Sequence, residues 1–182
     1  MTVKQTPLKD CFVVEPNVFK DERGSFFESF NSKTFKENTG LDIDFVQDNQ
    51  SISQYGTIRG LHFQTGEFAQ AKLIRVAQGE VLDVVVDMRP ESETYLKQFG
   101  YVLTGENNHQ LFVPRGFAHG FACLSYEAIF VYKCDNYYHK ASESGILFND
   151  ETLNIDWQIP KKEQIVSEKD QNLPRLEAYL NS

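Results

Sequence analysis

The sequence predicts an all-β protein, a sandwich or closed barrel built from many short strands. Fifteen Phe and eight Tyr, together with frequent Val and Ile, favour strands over helices. Short apolar runs recur between Gly- and Asn-bearing turns, a spacing that suits antiparallel sheets. No repeat, low-complexity tract or linker divides the 182 residues. One domain is therefore expected, with a C-terminal arm from about residue 161.

In chain order, residues 8 to 19 alternate weakly and read as a strand that ends near Pro16. Lys20 to Gly24 is a polar turn, and Ser25 to Phe30 reads as the next strand. Asn31-Ser32 can cap a short helix with Phe35 on its apolar side and an end at Gly40. Asp44 to Ser53 includes F-V-Q-D-N-Q-S, a strand with too many polar side groups for a plain core. Residues 57 to 64 and 71 to 77 are expected to form a hairpin that reverses around Gly66 and brings His62 close to Lys72. Val81 to Met88 is nearly continuous in β-branched residues, so burial on both faces is expected, and Asp83 and Asp87 then need partners. Phe99 to Leu103 is expected to pair with the strand that follows Gly105 to Asn108, namely Gln110 to Pro114. P-R-G-F-A-H-G-F, 114 to 121, reads as a tight loop with two Gly, and Ala128 to Cys134 as another strand. Tyr137 to Gly145 is a polar loop, Trp157 a packing anchor, and Leu173 to Tyr179 a short terminal helix.

The net charge of -8 and a pI near 5.0 argue against nucleic acid or an anionic membrane surface as the main partner. A few Arg and Lys lining one pocket remain compatible with an anionic ligand. No apolar run is long enough to span a bilayer, and Met1 to Lys9 lacks a signal-peptide apolar region, so a cytoplasmic location is expected. Cys11, Cys123 and Cys134 have no metal-ligand spacing and read as reduced, buried small hydrophobes. His62 and His119 lie far apart, with no H-x-H pair or nearby carboxylate to complete a set, so no metal site is expected.

Proton chemistry is the stronger candidate. His62 is a base suited to neutral pH, and Lys72 is a cation able to stabilise an oxyanion, a pairing that suits proton abstraction beside a carbonyl. Strand alternation puts His62 on the face of Ile58 and Gly60, opposite Arg59, Leu61 and Phe63. A bulge or twist near Gly60 is needed for Arg59 and His62 to share a pocket. From spacing alone, a structural His62 and a catalytic one fit equally. Lys72 is an edge charge or a pocket cation. His119 is a ligand-binding or turn residue, and Tyr132 shares a face with Phe130 and Cys134 as an ordinary core tyrosine would. Asp170, next to Lys169, reads as an exposed charge unless it reaches His62.

Several stretches together resemble the dTDP-4-dehydrorhamnose 3,5-epimerase family of sugar-nucleotide enzymes. They are D-E-R-G-S-F-F-E-S-F (21 to 30), F-V-Q-D-N-Q-S (45 to 51), I-R-G-L-H-F-Q (58 to 64), A-Q-A-K-L-I-R-V (69 to 76) and G-E-V-L-D-V-V-V-D-M-R (79 to 89). E-N-N-H-Q-L-F-V-P-R-G-F-A-H-G-F (106 to 121), Y-K-C-D-N-Y-Y (132 to 138), I-D-W (155 to 157) and S-E-K-D (167 to 170) follow in the family's order. The resemblance implies a cupin-like jelly-roll barrel of two antiparallel sheets with short peripheral helices, a homodimer working without metal or cofactor. It implies inversion of C3 and C5 of dTDP-4-dehydro-6-deoxy-D-glucose, in dTDP-L-rhamnose biosynthesis; a C3- or C5-only epimerase is the alternative. Carried over residue by residue, His62 is the base, Asp170 its orienting group, Tyr132 the acid and Lys72 the group that steadies the enolate. Arg59 and His119 would hold the nucleotide sugar. Arg23, Phe26, Glu28, Gln47, Asp48 and Asn49 match substrate-contacting positions, Glu143 and Lys169 more loosely, and Phe19 and Phe26 would stack on thymine. The sequence departs from the family pattern at the tip Gly66-Glu67-Phe68 and in the loop from Tyr138 to Glu143, each of which lacks the usual proline, and at Ala71, where glycine is usual. It also departs in the middle of Glu91 to Gln98.

Overall fold

In the computed structural model, which describes residues 1–181, strands dominate. The chain runs β1 (Thr2–Gln5), β2 (Phe12–Glu15), β3 (Phe19–Asp21), β4 (Gly24–Phe26), α1 (Ser32–Thr39), β5 (Gln47–Gln54), β6 (Thr57–Gln64), β7 (Lys72–Gln78) and β8 (Glu80–Asp87). It continues β9 (Gln98–Thr104), β10 (Gln110–Val113), β11 (Phe117–Cys123), β12 (Glu127–Cys134), β13 (Glu143–Gly145), β14 (Ile165–Val166), α2 (Glu168–Gln171) and α3 (Leu176–Leu180). One sheet has the order β1-β2-β10-β7-β12-β5, the other β13-β6-β11-β8-β9. All pairs are antiparallel except β14, which lies parallel to β6. This is the expected all-β, cupin-like arrangement of two sheets with short helices at the periphery.

The expected pairing of neighbours fails twice, and the failures create the barrel. β6 and β7 do not form a hairpin: β6 pairs with β11 and β13, β7 with β10 and β12. β9 pairs with β8, whereas β10 pairs with β2 and β7. Each connection crosses from one sheet to the other, so consecutive strands face each other across the interior. The segment read as a loop at 114 to 121 also differs. Its second half is β11, between β6 and β8 in the second sheet. The second strand expected at 25 to 30 shrinks to β4, which pairs only with β3.

Alternation on β8 explains the layers. Val81 and Val85 enter the interior with Ile74, Val76, Leu111, Phe121 and Phe130. Leu82, Val84 and Val86 point outward, where the segment leading into the C-terminal arm and the arm itself cover them with Trp157, Ile159 and Leu176. Burying such side chains contributes about 1.5–3 kcal/mol each, which is why the strand is apolar on both faces. The outer face of the first sheet is covered by α1, whose Phe35 packs on Phe12, Leu73 and Phe112. That helix starts and stops as expected: Asn31 accepts from the Thr34 amide, and Gly40 takes φ 74° at the C-terminus. The three cysteines are free and buried.

Candidate active site

The site is a cavity of about 700 Å³ at one end of the barrel, with walls supplied by both sheets. β6 brings His62 and Arg59 to it through a bulge, the condition under which the two could share a pocket. His119 of β11 lies opposite His62 and Phe121 opposite Arg59, so the four residues 59–62 of β6 span the three residues 119–121 of β11. The extra residue resets the alternation. Ile58, Leu61 and Phe63 pack into the core under the C-terminal segment, and His62 comes to the cavity wall together with Arg59. Gly60 allows this because the strands nearly touch there: a Cβ on Gly60 would sit 2.5 Å from the Gly120 Cα, and its φ is +127°.

Asp170, expected on sequence grounds to be exposed, is 3% exposed. Ser167 caps α2 and holds the Asp170 amide at 3.1 Å, which turns the carboxylate inward. The His62 ring and Asp170 Oδ1 are 2.7 Å apart through Nε2, and the Gly60 amide donates to Oδ2 at 3.1 Å. A carboxylate only accepts, so Nε2 carries the proton and the neutral ring keeps its lone pair on Nδ1. Burial alone would raise the Asp170 pKa, but the His62 ring, the Gly60 amide and Ser167 outweigh it and hold the group below its ordinary value.

The facing wall carries the other two groups. Lys72 and Tyr132 sit on neighbouring strands β7 and β12, with the Lys72 ammonium 5.7 Å from the phenol ring centroid. Burial lowers the Lys72 pKa, an effect that nearby Cys134, Asp83 and Glu143 oppose. Burial also pushes the Tyr132 phenol up to about 12, so it stays protonated at neutral pH. Behind His62, His119 is 6% exposed within a central strand and is not a turn residue. Burial lowers its pKa, and the Asp83 carboxylate opposes the shift. His119 Nε2 comes within 3.0 Å of Asp83 Oδ1, yet the approach lacks hydrogen-bond geometry, leaving both Asp83 oxygens and the His119 nitrogen without such partners.

Asn49, Arg59, Glu143 and Lys169 also line the cavity. Lys169 Nζ lies 2.6 Å from Glu143 Oε1, and Glu143 is held below its ordinary pKa by Lys169 and Tyr138 against the effect of burial. Six other expected residues are not brought together there. Asp48 faces outward and pairs with Lys133 at 2.9 Å, because alternation that sends Asn49 inward must send its neighbour out. Gln47 is already spent on the protein: its Nε2 donates to Asn49 Oδ1 at 3.1 Å and its Oε1 accepts the Tyr138 amide at 3.0 Å. Arg23 bonds to Asp21 within the β3–β4 hairpin, Phe26 is 69% exposed, and Glu28 accepts from Asn31. That hairpin pairs with neither large sheet, so nothing within the chain draws it to the cavity. Phe19, on the same hairpin, is 66% exposed.

Reading the sequence missed Ser51, Gln64, Gln70 and Tyr138, all in the cavity wall. Alternation from Asn49 signals Ser51, whereas Tyr138 has no comparable signal in its loop. Among the described residues, no three His, Cys, Asp or Glu side chains gather as a metal-ligating group.

Comparison with known proteins places this geometry in context. The sequence model of a family described as dTDP-4-dehydrorhamnose 3,5-epimerase matches residues 5–178. A protein of that name from Shigella flexneri is 51% identical over 172 residues, 94% of each chain. A crystal structure of the corresponding Elizabethkingia anophelis protein is 56% identical, with TM-score 0.94 over 98% of this chain and 97% of that one. The Legionella pneumophila dTDP-6-deoxy-D-glucose-3,5-epimerase, solved in complex with dTDP-4-keto-L-rhamnose, is 44% identical, with TM-score 0.92 over 97% and 93%.

Proposed function

Because the chain belongs to the dTDP-4-dehydrorhamnose 3,5-epimerase family, we propose that His62 and Tyr132 act as base and acid on opposite faces of a keto-sugar ring. The enzyme is an isomerase of dTDP-rhamnose biosynthesis: it inverts C3 and C5 of dTDP-4-dehydro-6-deoxy-D-glucose to give dTDP-4-dehydro-L-rhamnose. A proton next to the C4 ketone is acidic only if the enolate is stabilised. In this reading His62 Nδ1 takes the proton, and Asp170 stabilises the imidazolium that forms. The Lys72 ammonium meets the charge that develops on the C4 oxygen. Inversion then needs a proton from the far side of the ring, and Tyr132 supplies it from the facing wall. Arg59 and Lys169 answer the diphosphate charge, and His119, Asn49 and Glu143 line the sugar. The steps use side chains alone.

The observation that carries this reading is that the imidazole stands on one sheet while the ammonium and the phenol stand on the other, within a single cavity. The test is solvent-deuterium incorporation from the dTDP-4-keto sugar, read carbon by carbon. Label at both C3 and C5 is expected; label at one carbon would make the enzyme a mono-epimerase. The exposed Phe19 and Phe26 suit a homodimer in which this hairpin and the residues just after it carry Arg23, Phe26 and Glu28 to the neighbouring copy's cavity. A monomer in sedimentation analysis would remove that part. Three free thiols suit a reducing compartment, so a cytoplasmic location belongs to the same reading.

A further inference from the structure

The two segments that lack the family's usual proline touch each other at the rim of the cavity. Residues 66–68 form a one-turn 3₁₀ tip, and residues 135–142 cross over it. The Phe68 and His139 rings stack with centroids 3.9 Å apart and planes 16° from parallel. Side-chain and backbone contacts surround the stack. Asn136 Nδ2 donates to the Glu67 carbonyl at 2.8 Å, Gln70 Nε2 to the Asn136 carbonyl at 2.7 Å, and the His139 amide to Gln64 Oε1 at 3.0 Å. His139 Nδ1 lies 2.9 Å from Ser142 Oγ.

His139 does not line the cavity, whereas Tyr138 does. The backbone at His139 is extended, with φ -127° and ψ 112°, so consecutive side chains point to opposite sides. Pinning the His139 ring on Phe68 therefore turns Tyr138, still 51% exposed, to the cavity side of the rim. Tyr138 Oη then donates to Glu143 Oε2 at 3.0 Å, and the other Glu143 oxygen holds Lys169, the residue before Asp170.

We propose that Phe68 and His139 are positioning residues: their stack is a clasp that orients Tyr138 and Glu143 toward the bound sugar nucleotide. The proposal rests on the reading that this cavity takes a dTDP-keto sugar. Neither ring touches the reacting atoms, so the clasp acts on binding more than on turnover.

Steady-state kinetics with the dTDP-4-keto sugar, together with calorimetry using dTDP alone, test it on the full chain. Phe68→Ala and His139→Ala are each expected to raise KM about two- to tenfold, the range of one aromatic pair, with kcat within about twofold. His139→Phe and Phe68→Tyr keep two stacked rings and should retain the wild-type KM. The double alanine variant should be no worse than either single one, since both remove the same contact. If Phe68→Ala fails to fold, the contrast between His139→Ala and His139→Phe decides. Unchanged KM in His139→Ala, or a His139→Phe variant as weak as His139→Ala, overturns the clasp; the latter would assign the effect to the Ser142 bond. Wild-type protein that neither exchanges deuterium nor binds dTDP would instead overturn the reading of the cavity.

Discussion

Two aspartates four residues apart on β8 point to the same interior, yet their surroundings are opposite. Asp87, at one end, is saturated. Arg89 reaches both of its oxygens at 2.8 and 2.9 Å, Ser92 donates at 2.6 Å and Thr94 at 2.7 Å. Burial alone would raise its pKa, but these donors bring it to about 2. Asp83, under the catalytic cavity, makes no hydrogen bond within the described chain and only approaches His119. Both are fully buried. A carboxylate whose every lone pair is answered fixes backbone: here it ties β8 to the 89–94 loop and, through Arg89 and Asp10, to the segment before β2. A buried carboxylate with a single, poorly aligned neighbour fixes little backbone; Asp83 has only the His119 ring at 3.0 Å, whose lowered pKa it opposes. One end of the barrel stabilises the fold and the other is shaped for chemistry.

The largest test of this contrast is His62→Gln, which keeps a donor for Asp170 and removes the base. It should lower kcat about 10³-fold or more with the melting temperature nearly unchanged. Tyr132→Phe should follow, slowing turnover about a hundredfold while proton exchange at the base's side persists more strongly; full activity would remove the phenol from its role. At the other end, Asp87→Asn should cost about 3 kcal/mol in urea unfolding, because Arg89 is left half-buried without its full partner. The kcat of the folded enzyme should not move. Asp83→Asn should do the reverse, changing stability by less than about 1 kcal/mol while lowering kcat/KM about tenfold. Equal losses of stability in the two asparagine variants would erase the distinction between the ends.

A further effect is expected in acid. The Asp87 pKa falls from 3.8 to about 2 on folding. Its contribution is therefore present above about pH 4 and is lost as pH falls through about 2, some 2 kcal/mol in all. Acid titration of unfolding should show this slope in the wild type and a flatter one in Asp87→Asn.

The fold class was legible because aromatic and β-branched runs between turns leave few alternatives. Partnership between strands was not. A six- or seven-residue connection such as 65–71 permits either a hairpin or a crossing between sheets, and packing of the whole chain decides. His62 and Lys72 thus meet as expected but across the interior, not along a shared ladder. Gly116 and Gly120 made β11 look like a loop; Gly120 is instead where another backbone passes, with Gly60 against it. The bulge at Gly60 was legible only as a condition: residue types say that Arg59 and His62 need it to face one way, but not that they do so. Asp170 could not be placed, because its burial depends on α2 turning back over a strand far away in sequence. Asp48 and Gln47 show the limit of carrying roles across a motif: alternation ejects one and the rim loop occupies the other.

The carboxylate that orients the His62 ring arrives 108 residues after it. During synthesis, both large sheets can emerge and close while the imidazole still lacks its tautomer-setting partner. A polypeptide truncated before α2 would thus leave His62 without the carboxylate that sets its tautomer, and Leu82, Val84 and Val86 without Leu176 over them.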